Sequence, residues 1–151
     1  MDDGSPKFEL RNGMLRDSGL AVVEASYSLP GPVPMDAWRV VISGDAVPTV
    51  RVPHDSVAGN NVGEIERSWV STAAEFGIFG PGGDFLLSVG AGQLGSLPWA
   101  HVRRGQDSSL ARHLADHPGE PEFVAMSMDG RAICGVTTEE YDVWIIGANL
   151  G

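Results

Sequence analysis

Glu122-Phe123-Val124-Ala125-Met126-Ser127-Met128-Asp129-Gly130-Arg131-Ala132-Ile133-Cys134-Gly135-Val136-Thr137-Thr138-Glu139-Glu140-Tyr141-Asp142-Val143-Trp144-Ile145-Ile146 is the stretch that decides the fold. Asp129-Gly130 separates two apolar runs. A two-residue Asp-Gly loop is a preferred type I′ hairpin turn, because both central residues need positive φ. The turn sets the register, pairing Ser127 with Ala132, Ala125 with Cys134 and Phe123 with Val136. Thr137 to Glu140 then turns the chain again, and Tyr141 to Ile146 returns as a third strand. Successive strand residues point to opposite faces. Trp144 and Ile146 therefore share one face, and Tyr141, Val143 and Ile145 the other. Two apolar faces mark a central strand covered on both sides.

Similar signals recur toward the N-terminus. Gly80-Pro81-Gly82-Gly83 is a turn, and Phe85 to Val89 a strand, so Phe76 to Val89 reads as a hairpin. Pro98 to Val102, Thr49 to Val52, Trp38 to Ile42 and Leu20 to Tyr27 are further strands, with Pro53 stopping one of them. Asn12-Gly13 inside Phe8 to Arg16 predicts another hairpin, followed by a turn at Asp17-Ser18-Gly19. Leu29 to Pro34 is an extended, proline-rich connection. Val57 to Glu66 reads as loop with room for one helical turn, and Trp69 to Phe79 mixes helix and strand preferences. One short helix is expected, capped by Asp107 or Ser108, with Leu110, Ala111 and Leu114 on its apolar face and Pro118-Gly119 ending it. Asp36-Ala37-Trp38-Arg39-Val40-Val41-Ile42 faintly echoes Asp142-Val143-Trp144-Ile145-Ile146, which is too short to establish a repeat. The expected class is α+β and strand-rich: one antiparallel sheet, or two packed sheets, with hairpins and one or two short helices in a single domain over 1–151. Trp38, Trp69, Trp99 and Trp144 are the expected core anchors.

A chain of 151 residues with 42% apolar side chains can build a core without metal or disulfide. Cys134 is the only cysteine, which suits a reducing compartment. Met1-Asp2-Asp3-Gly4 lacks the basic and apolar regions of a secretory signal, and no apolar run approaches the roughly 18 residues of a spanning helix. The expectation is a cytoplasmic protein. Lys7 is the only lysine while arginine is common, a bias of GC-rich bacterial genomes. The net charge of −10 repels phosphate backbones and anionic lipid, so neither nucleic acid nor membrane is expected as a partner.

The motifs that could carry chemistry each have a plainer reading. Gly90-Ala91-Gly92-Gln93-Leu94-Gly95 has the spacing of a dinucleotide fingerprint and follows a strand. That chemistry needs a helix to begin within the motif. Pro98 would break such a helix, so a glycine-rich turn is expected. His113-Leu114-Ala115-Asp116-His117 puts two histidines four apart on one helix face and resembles the inverted zincin pattern, with Asp116 in place of glutamate. The shorter acid reaches less far, no third ligand follows, and two histidines also suit a helix C-terminus. No metal and no cofactor is expected. Cys134 lies on a strand and reads as a small core residue. Ser88 has Leu86 where a nucleophile elbow needs glycine. The acid pairs Glu64/Glu66, Glu120/Glu122 and Glu139/Glu140 read as solvated turn residues, and no catalytic residue is assigned.

One regional bias stands out. From Asp116 onward the acids are Asp116, Glu120, Glu122, Asp129, Glu139, Glu140 and Asp142, against Arg131 as the only base. An acidic edge beside an aromatic-rich sheet suits rapid, tight binding of a basic protein. The chain is similar to bacterial immunity and antitoxin-like inhibitors in size, charge and strand–turn style. The expected function is therefore a binding module that occludes a basic partner enzyme through Asp116, Glu120, Glu122, Glu139, Glu140 and Asp142. The alternative is a small-molecule site or small enzyme, with a pocket between sheet and helix. His54 with Asp55, His101 with Arg103 and Arg104, and the helix histidines would be its polar groups.

Overall fold

The computed structural model describes residues 5–53, 61–115 and 120–150. Its elements run α1 (Ser5–Asp17), β1 (Ala21–Tyr27), α2 (Pro34–Val41), β2 (Val50–Pro53), α3 (Val62–Glu75), β3 (Asp84–Val89), a 3-10 helix (Ala91–Ser96), β4 (Trp99–Arg103), α4 (Leu110–His113), β5 (Phe123–Met126), β6 (Ala132–Thr138) and β7 (Asp142–Asn149). All seven strands form one antiparallel sheet in the order β1-β4-β3-β5-β6-β7-β2. The architecture is α+β and strand-rich, with one sheet rather than two.

The C-terminal meander has the register its turn dictates. Ala125 pairs with Cys134 and Phe123 with Val136, and the amide of Ser127 donates to the Ala132 carbonyl. The turn itself differs from the expected two-residue loop: the Gly130 amide donates to the Ser127 carbonyl at 2.9 Å, so the turn spans Ser127 to Gly130, and Gly130 closes it at a left-handed φ of +74°. Because β5 and β6 sit mid-sheet, both their faces are buried. One face, with Phe123, Ala125, Cys134, Val143 and Ile145, packs under α1, α3 and α4. The other, with Val124, Met126, Ile133 and Ile146, packs under α2. Trp69 of α3 anchors the first layer, edge-on to Phe79 and Phe123. Trp38 of α2 and Trp99 of β4 anchor the second, and Trp144 is half-buried beneath the Arg51 guanidinium.

Two expected strand regions are helical, and so is a third region expected as loop and as mixed preference. Phe8 to Arg16 belongs to α1, not to a hairpin, and Gly13 is not at positive φ. The buried stripe there is Arg11, Leu15 and Ser18, at spacings of four and three, with Phe8 packed against the same core. Helical period thus outweighs the Asn-Gly turn signal. Trp38 to Val41 is the second half of α2. Pro34 opens that helix, Asp36 accepts from the Val33 amide at 3.0 Å, and Pro34, Ala37, Trp38 and Val41 face inward. The stretch 62–75 is α3, which buries Val62, Ile65, Trp69, Thr72 and Ala73, so the loop expected to Glu66 gives way to helix. Phe76 to Phe79 follows α3 outside the strands, so β3 has β4 and β5 as neighbours instead of a hairpin with Phe76. The expected helix near Leu110 is only one turn. Leu110, Ala111 and Leu114 are buried as anticipated, and Ala115 then bridges to Pro121.

Two contacts seat these layers. Gly135 of β6 leaves room for Val41, since a Cβ there would lie 2.5 Å from its Cγ1. Arg11 of α1 is fully buried and donates to the carbonyls of Ala25 (2.5 Å) and Pro98 (2.6 Å). These flank an irregularity where β1 slips register against β4 between Glu24 and Tyr27. Burial lowers the Arg11 pKa to about 10.

Candidate functional site

The antiparallel register gathers most of the C-terminal acids at one end of the sheet. Phe123 pairs with Val136 and Thr138 with Val143. The start of β5, the end of β6 and the start of β7 therefore lie together, and with them Glu120, Glu122, Glu139, Glu140 and Asp142. Asp129 sits in the β5–β6 turn at the opposite end, so it does not join the group. Asp116 lies outside the described residues, as do His54, Asp55 and His117.

Within the group the acids differ. Glu120, Glu139 and Glu140 are exposed, and Glu122 and Asp142 are half-buried. The Thr138 amide donates to Glu122 at 3.4 Å, and the Thr137 hydroxyl to Glu139 at 2.9 Å. The Trp144 indole donates to Asp142 at 2.7 Å. The Thr138 hydroxyl ties the end of β6 to the Pro121 carbonyl at 2.9 Å. These bonds order the acidic end. Asp129, at the far end, is held below the usual carboxylate range by the Ser127 hydroxyl and the Arg131 amide.

Beside Glu122 the sheet end meets α2. An open cleft of 460 Å³ is lined by Met35, Trp38, Ile42, Gly90, Gly95, Ser96 and Glu122. Met35 is 47% exposed, Ile42 63% and Val33 53%, an apolar rim that a solvated helix does not need. Met35 also borders a second cleft of 310 Å³ with Val33, Leu29, Tyr27 and Trp99. Sequence reasoning located the acids but missed this apolar half, having assigned Trp38 to Ile42 to a strand. The spacing of Met35 and Ile42, seven apart after Pro34, is the signal for one helix face.

The glycine-rich segment has its place here. Gly90 to Gly95 leads into and through the 3-10 helix rather than opening an α-helix, as Pro98 implied. Gly90 and Gly95 instead lie against Trp38. The Trp38 indole donates to the Ser88 hydroxyl at 2.8 Å, fixing the ring over β3.

A second polar cluster lies on the same sheet face toward β1. Asp84 accepts from Arg103 Nε at 2.6 Å and bonds His101 Nε2 at 3.0 Å, and Tyr27 stands edge-on to the His101 ring. The hydrogen bond from Arg103, then that from His101, brings the Asp84 carboxyl down to about 2. Of this cluster His101 and Arg103 were singled out from sequence, and Asp84 was not. Arg104 lies apart, stacked 4.5 Å over Phe79.

The acid pair Glu64 and Glu66 divides in role. Glu64 is exposed, while Glu66 accepts from the Trp69 indole (3.0 Å) and the Ala111 amide (2.8 Å), capping α4. Burial raises its pKa. Cys134 is buried in the core with its thiol pushed up to about 12, which leaves it unreactive at neutral pH. Among the described residues no three His, Cys, Asp or Glu side chains converge on a metal position, and no helix is long and apolar enough to cross a membrane. No family model, curated protein or solved structure matches the chain.

Proposed function

We propose that this protein is a binding module of the immunity or antitoxin-like inhibitor kind, which occludes a basic partner enzyme in a bacterial cytoplasm. One observation carries the reading. The exposed apolar side chains of Met35 in α2 and of Ile42 just after it border the same cleft as Glu122, at the end of the sheet that holds Glu120, Glu139 and Glu140. An apolar centre beside a rim of one charge is the anatomy of a protein interface. The rim speeds encounter with a basic surface, and the centre supplies desolvation.

The test uses a partner captured from host lysate and three variants. Glu139→Lys with Glu140→Lys, and separately Met35→Asp with Ile42→Asp, should each weaken binding at least tenfold, and Asp129→Lys should not. A partner held equally by all three variants would remove the reading.

Asp84, His101 and Tyr27, on the same sheet face as the 310 Å³ cleft that Tyr27 lines, favour a second reading as a small-molecule site. That reading expects a ligand-induced rise in melting temperature which His101→Gln abolishes. A ligand screen without any such shift leaves the binding module as the reading that stands.

A further inference from the structure

The sheet ends in two edge strands of different character. Among the described residues β1 and β2 each have a neighbour on one side only. β2 is four residues long and closes on Pro53, and a short strand with a proline is a poor template for another strand. β1 runs for seven residues, Ala21 to Tyr27, with no proline, lysine or glycine, and its two valines suit a regular ladder. Yet β1 is irregular. Against β4, Val22 pairs with Val102, Glu24 with His101 and Tyr27 with Trp99. β1 advances by two residues while β4 moves by one, and then by three while β4 moves by two. Each step thus carries one extra residue on β1, which is a bulge. Nothing in the local sequence asks for either. The group that holds the second is Arg11 of α1. Its guanidinium donates to the carbonyl of Ala25, inside the bulge, and to that of Pro98, just before Trp99.

We infer that Arg11 is an edge guard: its guanidinium holds β1 in the bulged form, and without it β1 straightens and pairs with β1 of a second copy of this chain. A buried guanidinium is a costly way to fill a core position. Arg11 is fully buried, its Nε has no partner, and no carboxylate bonds it among the described residues. Its two carbonyl bonds are what the position gains. Bulges turn the backbone groups of an edge strand away from an incoming strand. The straight form competes because removing both extra residues moves the register by two. An even shift keeps the side chains beyond the bulges on their own faces. Glu24, between the bulges, is exposed in the bulged form, so turning it to the other face costs little. A straight β1 then presents a regular row of amides and carbonyls. Two such strands running antiparallel about Val23 set Ala21 against Ala25 and Val22 against Glu24. The one charge in the strand therefore meets no like charge directly opposite. Val23, 45% exposed, stands at the centre of that pairing.

Sedimentation velocity on the intact protein tests the guard over about a hundredfold range in concentration. Salt at about 0.15 M screens the net charge of −10 beyond about 8 Å. The wild type should stay monomeric. Arg11→Met keeps an apolar stem but supplies no donor. It should associate as concentration rises, with slowed amide exchange across 21–27 in the associated form. Adding Val23→Lys, a charge on the edge strand, should return it to monomer. Leu15→Ala loosens the same buried face of α1 without touching either carbonyl, and should stay monomeric. If the methionine variant does not fold, Arg11→Lys takes its place with the same expectation, since lysine keeps the charge and lacks the fork that spans both carbonyls. A folded Arg11 variant that stays monomeric at every concentration overturns the guard. So does association of the wild type, equal association of Leu15→Ala, or association that survives Val23→Lys.

Discussion

Asp36-Ala37-Trp38-Arg39-Val40-Val41 and Asp142-Val143-Trp144-Ile145-Ile146 spell almost the same residues, yet one is the body of a helix and the other a central part of a strand. The difference lies in what surrounds each. Pro34 fixes the first φ of α2, and Asp36 reaches back to the Val33 amide. Those groups favour a helix start, and the inward stripe of Ala37, Trp38 and Val41 then finds the sheet. Residues of β7 meet a partner on each side: β6 along seven paired positions and β2 along four. Valine and isoleucine accept a strand readily when such ladders are present, but their preference is too small to decide alone. The two tryptophans carry the contrast into function. Trp38 is buried at the floor of a cleft and tied to β3, while Trp144 is bonded to Asp142 of its own strand.

The sharpest test of that contrast removes the two rings. Trp38→Ala should cost about 3–5 kcal/mol in denaturant unfolding, the usual range for a buried aromatic. Trp144→Ala should cost about half as much, because that ring is only half-buried. Equal losses would mean the two tryptophans play the same role and would break the comparison.

Gly135→Ala comes next. The new methyl would meet Val41 at 2.5 Å, so a loss of about 1–3 kcal/mol is expected. Hydrogen exchange should quicken in α2 and stay unchanged between β6 and β7. Next in size, Asp36→Ala should cost about 1 kcal/mol through the lost N-terminal bond of α2, and Asp142→Ala about half that or less. Helical content read by circular dichroism should fall only in the first.

The smallest effect has the opposite sign. Nothing lies within 4 Å of a Cβ on Gly13, and its backbone is helical. Gly13→Ala should therefore raise stability by about 0.5–1 kcal/mol. At the positive φ of a hairpin turn the same change would lower it, so the sign of the shift in melting temperature separates helix from turn.

The same contrast explains what could be read from the letters. The β5–β7 meander was legible because every determinant is local: a turn with Gly130 at its left-handed position, alternation on both faces, and a second short turn. The helices were obscured by residues whose local preference points elsewhere. Asn12-Gly13 mimics a turn, Val40-Val41-Ile42 mimics a strand, and the buried stripe of α1 contains Arg11, a charge that pattern reading places outside. The acidic half of the candidate site was visible as a charge bias, although Asp129 separates from it once the hairpin closes. Its apolar half required knowing that α2 is a helix laid across the sheet. The approach of Gly90 and Gly95 to Trp38, more than fifty residues away in sequence, has no local signature at all.

Hydrogen exchange on the complex with the captured partner reports whether the face formed by α2 and the acidic end of the sheet is the contact surface. Slowed exchange is expected in peptides covering 33–42, 120–122 and 137–142, with no change at 128–131. Protection centred on 128–131 or on β1, with 33–42 unaffected, would contradict it.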